Sequence, residues 1–451
     1  MSEQRAMRSC LIALAAALAV PPAAGAASND LSSILNDAVA NDPVYASARF
    51  AQQASAEAEP QALAALLPNV SLSAGANATK YRLTTESEEL GANSFKATFT
   101  SWGPTLQVAL PLYRPQLWDS LSQSRLTVEQ SEAQFAQARE DLIVRVAQAY
   151  FDVLASNDAL GAIQTNKQAI SEQLAQAKRE FEVGTKTIVD THEAQARYDQ
   201  AVAQEQVALG DLIVKKSALR TIVGHDVGEL ATLRDAPDLV APQPADMEAW
   251  VRNSEQNNFS VLAARAASEF ARRETRRARD AYLPTVDLTG SVQWQRSTGT
   301  PNIQFGNISE ASAIGLVATV PLYTGGMLQS RIREAHANEY RAEQDLETAR
   351  RNAAQSARQA YTGTDYGLAQ VRALESAEIS SKSQLDSTRL GYQVGVRINL
   401  DVLNANTQLF NTQRDLKKAR YDFLVNGLRL KASSGALESK DVQAVNALLQ
   451  R

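Results

Sequence analysis

Proline marks where this chain cannot be helical, because its ring removes a backbone donor and clashes with the preceding turn. The chain has 14 prolines. Pro21 and Pro22 lie near the start, and Pro43 and Pro60 in an N-terminal helical pattern. Pro68, Pro104, Pro111, Pro115, Pro284, Pro301 and Pro321 sit in or beside strand-like segments, and Pro237, Pro242 and Pro244 mark a linker. None lies between Pro115 and Pro237, and none follows Pro321. Two very long helices are therefore allowed, from about Gln116 to Glu182 and from Met327 to Tyr392. At ~1.5 Å rise per residue the first reaches ~100 Å, which suits a spacer crossing a compartment and not a compact globule.

The first tract carries a heptad of apolar residues: Leu142, Val146, Ala149, Val153, Ser156, Leu160, Ile163, Lys167, Ile170, Leu174, Ala177 and Phe181. Spacings alternate four and three, with Ser156 and Lys167 as the polar exceptions, so the tract presents a coiled-coil seam. The second tract has a weaker seam through Val371, Leu374 and Leu385.

The chain repeats itself. Leu67-Pro68-Asn69-Val70 recurs 216 residues on as Leu283-Pro284-Thr285-Val286, and Leu110-Pro111-Leu112-Tyr113 recurs 210 residues on as Val320-Pro321-Leu322-Tyr323. Ala149-Tyr150 recurs as Ala360-Tyr361, and FEVGTKTIVD from Phe181 as YQVGVRINLD from Tyr392, each 211 residues on. Landmarks that keep order and spacing indicate a duplicated unit. The expected division is a first repeat over 27–234, a linker over 235–247, a second repeat over 248–431 and a polar tail over 432–451.

Before each long tract the residues alternate with period two. Val70, Leu72, Ala74, Ala76 and Ala78 oppose Ser71, Ser73, Gly75, Asn77 and Thr79, and Leu106, Val108 and Leu110 oppose Thr105, Gln107 and Ala109. Val286, Leu288, Val292 and Trp294 oppose Asp287, Thr289, Ser291 and Gln293, followed by Ile314, Leu316, Ala318 and Val320. Strands of about ten residues with one apolar and one polar face fit a membrane barrel, and also a half-buried soluble sheet. Residues 81–102 and 296–311 read as the two loops between paired strands. Four strands cannot close a barrel, which needs at least ~8, so copies must join. Two copies leave a lumen filled by side chains and three leave a pore; the count does not choose between them.

Residues 1–26 read as a secretory signal peptide: Arg5 and Arg8, an apolar run from Cys10 to Val20, and a small-residue site at Ala24-Gly25-Ala26. That run is about half of the ~20 residues a membrane helix needs. Cys10 is the only cysteine, so the mature chain would have no thiol and rely on packing and assembly. No later apolar run approaches membrane-helix length, and a membrane part would have to be a β-barrel. A net charge of -5 argues against nucleic acid as a partner.

The signal peptide, two strand hairpins, two proline-free coiled-coil tracts and the paired turns VGTKTIVD and VGVRINLD together resemble the TolC family. The resemblance spans nearly all of the mature chain, and its most specific elements are those turns, the LP-x-V strand starts and the [LV]-PLY strand ends. It implies a trimer that shares a twelve-stranded outer-membrane β-barrel and continues as a long α-helical coiled-coil barrel, a tunnel across the periplasm of a Gram-negative bacterium. It puts the VG turns at the periplasmic tips, with Asp190, Tyr392 and Arg397 as polar links that hold the tunnel shut. Asp401 matches the position that lines the narrowest point. Three like charges about one axis repel, attract cations and relax when the ring widens. The implied partners are a periplasmic adaptor, docking near Gly184 and Gly395, and an inner-membrane efflux pump or the ABC transporter of type I secretion. The chain departs from the family at Asn404 and Val189, where polar neighbours are often found. Read without the family, these charges near helix ends are ordinary caps or surface pairs worth ~0 to 1 kcal/mol each.

Other signals are weaker. His192-Glu193 opens like a zinc-protease motif, but Ala196 stands where the second histidine belongs, and no metal site, cofactor or catalytic set is expected. Arg272, Arg273, Arg276, Arg277 and Arg279 form a basic cluster that reads as a solvated helix face or as a contact to lipid phosphates. No phosphate-binding loop is present, so energy for export must come from a partner. The expected function is a passive exit duct for efflux or type I secretion. The competing reading is a periplasmic coiled-coil structural or adaptor protein without a membrane part, against which the alternating strands speak.

Overall fold

A computed structural model describes residues 29–87, 91–185, 187–235, 237–300 and 305–450; residues 1–26, expected to be a signal peptide, lie outside them. The chain runs α1 (Leu31–Asn41), α2 (Pro43–Ala56), α3 (Ala58–Ala64), β1 (Asn69–Ser87), β2 (Gly91–Tyr113), α4 (Pro115–Glu182), α5 (Ile188–Val223) and β3 (Thr232–Leu233). It continues α6 (Met247–Asn257), α7 (Phe259–Asp280), β4 (Thr285–Ser297), β5 (Asn307–Thr319), α8 (Met327–Gln393), α9 (Asn399–Ser433), α10 (Ser439–Asn446) and β6 (Leu449–Gln450). The duplication is visible element by element. Leu31 and Pro43 open α1 and α2 as Met247 and Phe259 open α6 and α7, 216 residues later, and Asp42 and Asn258 cap α2 and α7 through their side chains.

The two proline-free tracts form single helices of 68 and 67 residues. Along α4 the seam is buried at Leu142, Val146, Ala149, Val153, Leu160, Ile170, Leu174 and Ala177, whereas Phe181 is exposed. Its two polar exceptions meet carboxylates of α5: Ser156 Oγ donates to Asp211 at 2.5 Å, and Lys167 Nζ donates to Glu205 at 2.5 Å. Buried Asn166 accepts a hydrogen bond from Asn406 of α9 at 2.9 Å. In this half of the molecule α4 lies between α5 and α9, and α8 packs on α9.

The main core sits part-way along the rod. Leu31 and Ile34 of α1, Leu142, Val146, Tyr150 and Phe151 of α4, Leu219 of α5, Leu424 and Leu428 of α9, and Val442 and Leu449 near the C-terminus bury one another. Tyr150 donates its hydroxyl to the Ala231 carbonyl at 2.7 Å, and Phe151 stacks on Tyr421 with ring centres 5.5 Å apart. The tail strand β6 pairs with β3. Of the basic cluster, Arg272 and Arg273 pair with Glu269, Arg277 pairs with Glu274, and Arg279 contacts His336, so three of its five guanidinium groups meet carboxylates within the chain.

At the other end β1, β2, β4 and β5 form one antiparallel sheet in that order, with β1 and β5 at its edges. In the part of the sheet nearest the helices the register gathers most apolar residues of the four strands on one face, whereas Leu83, Phe95, Phe99 and Val317 fall on the other. Val70 faces Val108, Val108 faces Gly290 and Gly290 faces Ile314; Leu110 faces Leu288, and Leu288 faces Leu316. Ser71, Gln107 and Ser291, and then Ser73, Thr105 and Gln293, line the other face. A bulge between Pro111 and Tyr113 turns Tyr113 back to the apolar side, opposite Val286. Gly103 permits β2 to approach β4, since a Cβ there would lie 1.8 Å from the Trp294 carbonyl oxygen. The strands are longer than the alternation suggests: β1 continues to Ser87 and β2 starts at Gly91, so most of 81–102 is strand and not loop. Likewise β4 reaches Ser297 and β5 begins at Asn307 within the 296–311 segment. Among the described residues no helix is long and apolar enough to cross a membrane.

Candidate functional site at the paired helix tips

Both long helices end in the same way. Val183 N–H bonds Arg179 O, Gly184 N–H bonds Phe181 O, and Thr185 N–H reaches back to Glu180 O at 2.9 Å. At the second tip Val394 bonds Leu390 O, Gly395 bonds Tyr392 O, and Val396 reaches Gly391 O at 2.9 Å. This satisfies the last carbonyls and requires a left-handed residue, which Gly184 and Gly395 supply at φ 80° each. The chain then turns into α5 and α9.

Asp190 sits in the first turn of α5, where Thr187 caps the helix. The Thr187 hydroxyl donates to Asp190 Oδ2 at 2.8 Å, the Thr187 amide donates to the same oxygen at 3.1 Å, and the Asp190 amide donates to Thr187 Oγ1 at 3.4 Å. The carboxylate is thereby committed to a capping box. Asp401 occupies the same place in α9, but Ile398 has no side-chain acceptor or donor, and α9 begins without a side-chain cap. Asp401 instead lies 3.7 Å from Arg397, in a pair that is largely exposed. Gly391 leaves room for Arg397: a Cβ there would meet Arg397 Cγ at 2.8 Å.

Tyr392 donates its hydroxyl to Glu180 Oε2 at 2.8 Å, tying α8 to α4 across the tip. Its ring packs on the cluster of Leu385, Val402, Ala405 and Leu409. Burial, then the hydrogen bond and charge of Glu180, then the charge of Asp190, push the phenol up to about 12. The structure thus brings Tyr392 into electrostatic reach of Asp190 and pairs Arg397 with Asp401. A carboxylate in a Glu-rich helix end carries no local signal, so nothing in the sequence marks Glu180. Asn404 accepts from Arg197 of α5 at 3.2 Å, and Val189 is exposed. Val183, Val394, Val396 and Ile398 leave an apolar rim exposed at the tips.

A sheet with one apolar and one polar face, carried on a pair of helices about 100 Å long, defines a subunit of an outer-membrane channel with a periplasmic stalk. The family model described as outer membrane efflux protein matches residues 34–225 and 250–436, and the chain belongs to this family. It is 34% identical over 423 residues to the outer membrane protein TolC of Vibrio cholerae serotype O1, covering 93% of this chain and 94% of that protein. It is 32% identical to the outer membrane protein TolC of Escherichia coli K12, over 80% of this chain and 74% of that one. It is 29% identical to the alkaline protease secretion protein AprF of Pseudomonas aeruginosa, over 91% and 85%. Among solved structures, the CmeC outer membrane channel of Campylobacter jejuni matches with a TM-score of 0.76 at 17% identity, covering 93% of this chain and 90% of that one. At that identity the likeness speaks for the fold. The protein is an outer-membrane export channel, extending into the periplasm, and not an enzyme.

Proposed function

We propose that three copies close a twelve-stranded barrel, at four strands each, and that the two tips of each copy form the periplasmic gate of the exit duct. The observation that carries this reading is the continuous apolar face of the sheet, left bare with Leu72 at 73%, Ile314 at 81% and Leu316 at 67% exposure, opposite a polar face. A soluble protein would cover such a face; lipid outside and water inside match it. The open edges of β1 and β5 call for further copies, and three leave a pore where two would fill it with side chains.

At the tips, the Tyr392–Glu180 bond, the charges of Asp190 and Asp401 and the Arg397–Asp401 pair act as the links that hold the entrance narrow. The exposed rim of Val183, Val189, Val394, Val396 and Ile398 around Gly184 and Gly395 suits a periplasmic adaptor, which would join the duct to an inner-membrane efflux pump or to the ABC transporter of type I secretion. Substrate passes without covalent change, driven by that partner. The purified protein in planar bilayers should conduct as a trimer with low conductance. Asp190→Ala with Arg397→Ala should raise single-channel conductance several-fold, and unchanged conductance refutes the latch.

A further inference from the structure

We propose that Lys80, Arg82 and Lys96, on the outward face of the first strand hairpin, form a binding site for the phosphate groups of an outer-leaflet lipid. The site rests on the trimeric-barrel reading, in which the face of Val70 and Leu72 meets lipid.

The register places the three cations together. Lys80 and Arg82 are neighbours on one face of β1, about 7 Å apart along the strand, and Arg82 lies directly opposite Lys96 of β2. Lys80 is on the diagonal to Lys96, so the three Cβ atoms fall within about 8 Å of one another. That face runs along β1 from Val70 and Leu72 through three alanines to Lys80 and Arg82. All three cations are exposed, whereas the residues beside them, Tyr81, Phe95 and Ala97, are half-buried. The sheet therefore curls over the other face and leaves the cations on the convex, outer side. Their height fits as well. Lys80 is ten residues beyond Val70, roughly 33 Å along the strand at ~3.3 Å per residue. A strand tilted by ~40° gains about 25 Å of height over that length, the thickness of the apolar band of an outer-membrane barrel. With the helices on the periplasmic side, the cations stand at the outer edge of that band, where lipid headgroups lie.

Like charges directly opposite one another destabilise a sheet. Around Arg82 and Lys96 the same face offers Ala78, Thr84, Ser94, Thr98 and Thr100, none of them charged. The first carboxylate residue along this face, Glu86, stands opposite Ala92, about 13 Å of strand beyond Arg82. Arg296, lower on the same face of the sheet, differs in having Glu310 on its diagonal. An anion among the three cations turns their repulsion into attraction: the Arg82 guanidinium presents a fork of donors to phosphate oxygens, and the two ammonium groups add point charges.

The test titrates the full-length trimer in detergent with lipid A bearing both phosphates and with lipid A from which they have been removed, counting bound lipid by native mass spectrometry. Wild type should bind the phosphorylated lipid at least about tenfold more tightly, the worth of one charge-assisted hydrogen bond. Equal affinity for the two lipids overturns the site without recourse to any variant. Arg82→Gln with Lys96→Gln should abolish the preference and Arg296→Gln should keep it; the reverse result overturns the residues assigned. Inorganic phosphate that binds as tightly as the lipid makes the free anion the occupant and overturns the lipid assignment. Thermal unfolding supplies a second readout. In plain detergent Arg82→Gln should melt no lower than wild type, because it relieves a repulsion, and with phosphorylated lipid present it should melt lower. A loss of the same size in both conditions means a structural role and overturns the site. Altered charge selectivity of the double variant in planar bilayers would place these cations in the lumen and overturn the barrel's sidedness itself, whereas trimers that conduct normally and show no phosphate preference overturn the lipid site alone.

Discussion

At the first tip Thr187 caps α5 and holds the Asp190 carboxylate in its own backbone; at the second, Ile398 takes the place of Thr187, and Asp401 is left to face Arg397. The preceding residues differ in the same sense. Phe181 stands where the second tip has Tyr392, and Glu180 stands where it has Gly391, so the phenol of one tip reaches the carboxylate of the other and Arg397 fills the space over Gly391. The backbone bonds that end α4 and α8 are the same. Duplication has kept the turn and redistributed its polar groups: one tip is locked within itself, and the other spends its side chains on contacts between helices. That division suits a gate with one fixed and one movable jaw.

The largest effect should come from the feature the tips share. Gly395→Val and Gly184→Val each force a β-branched residue to φ 80°, at a cost of about 1–3 kcal/mol. Limited proteolysis should cut both variants at their tips much faster than wild type, and resistance at either tip would mean that its turn is not the one described. Tyr392→Phe gives the second tip the side chain of the first and removes the bond to Glu180, at a cost of about 1 kcal/mol. Its conductance should rise, whereas Phe181→Tyr should leave conductance unchanged.

The Tyr392 bond also has a pH signature. Its phenol is raised from 10.0 to about 12 in the folded protein, so the stability it contributes is fully present below pH 10 and is lost as pH rises through 12. A difference titration of phenolate absorbance between wild type and Tyr392→Phe should show a midpoint near 12; a midpoint near 10 contradicts the Glu180 contact. The smallest effects concern the caps. Thr187→Ala should loosen the start of α5 by about 1 kcal/mol, read by amide exchange. Ile398→Thr should build a capping box with Asp401, protect the start of α9 by a similar ~1 kcal/mol and weaken the Arg397 pair. If Ile398→Thr leaves α9 exchange unchanged, the contrast between the tips has another origin.

Local rules expose much of this architecture in the sequence. Proline removes helix wherever it stands, so the proline-free stretches leave room for both long helices, although each stretch also holds the helix that follows, α5 in the first and α9 in the second. Heptad spacing located the α4 seam, but it could not explain Ser156 and Lys167, because Asp211 and Glu205 lie on another helix. Period-two alternation found four strands and missed their length. Beyond Thr79 the pattern inverts, with Lys80 and Arg82 on the face of Val70 and Leu72 and with Tyr81 and Leu83 on the other, and it is pairing with Phe95–Thr98 that keeps the run extended. The role of the tail was illegible for the same reason: Val442 and Leu449 gain their core from α1, α4 and α9, far away in the chain. At the tips the glycines and aspartates were visible, whereas Glu180 acquires meaning only when α8 arrives beside it.

Ser156 with Asp211 and Lys167 with Glu205 work like two keyed teeth between neighbouring bars. Sliding α5 along α4 by a heptad would keep apolar residues in register with apolar residues, yet it would strand an ammonium and a carboxylate away from each other in a partly dehydrated seam. In the proposed gate the α4–α5 pair would therefore hinge or rotate as one piece, without axial travel of α5 along α4.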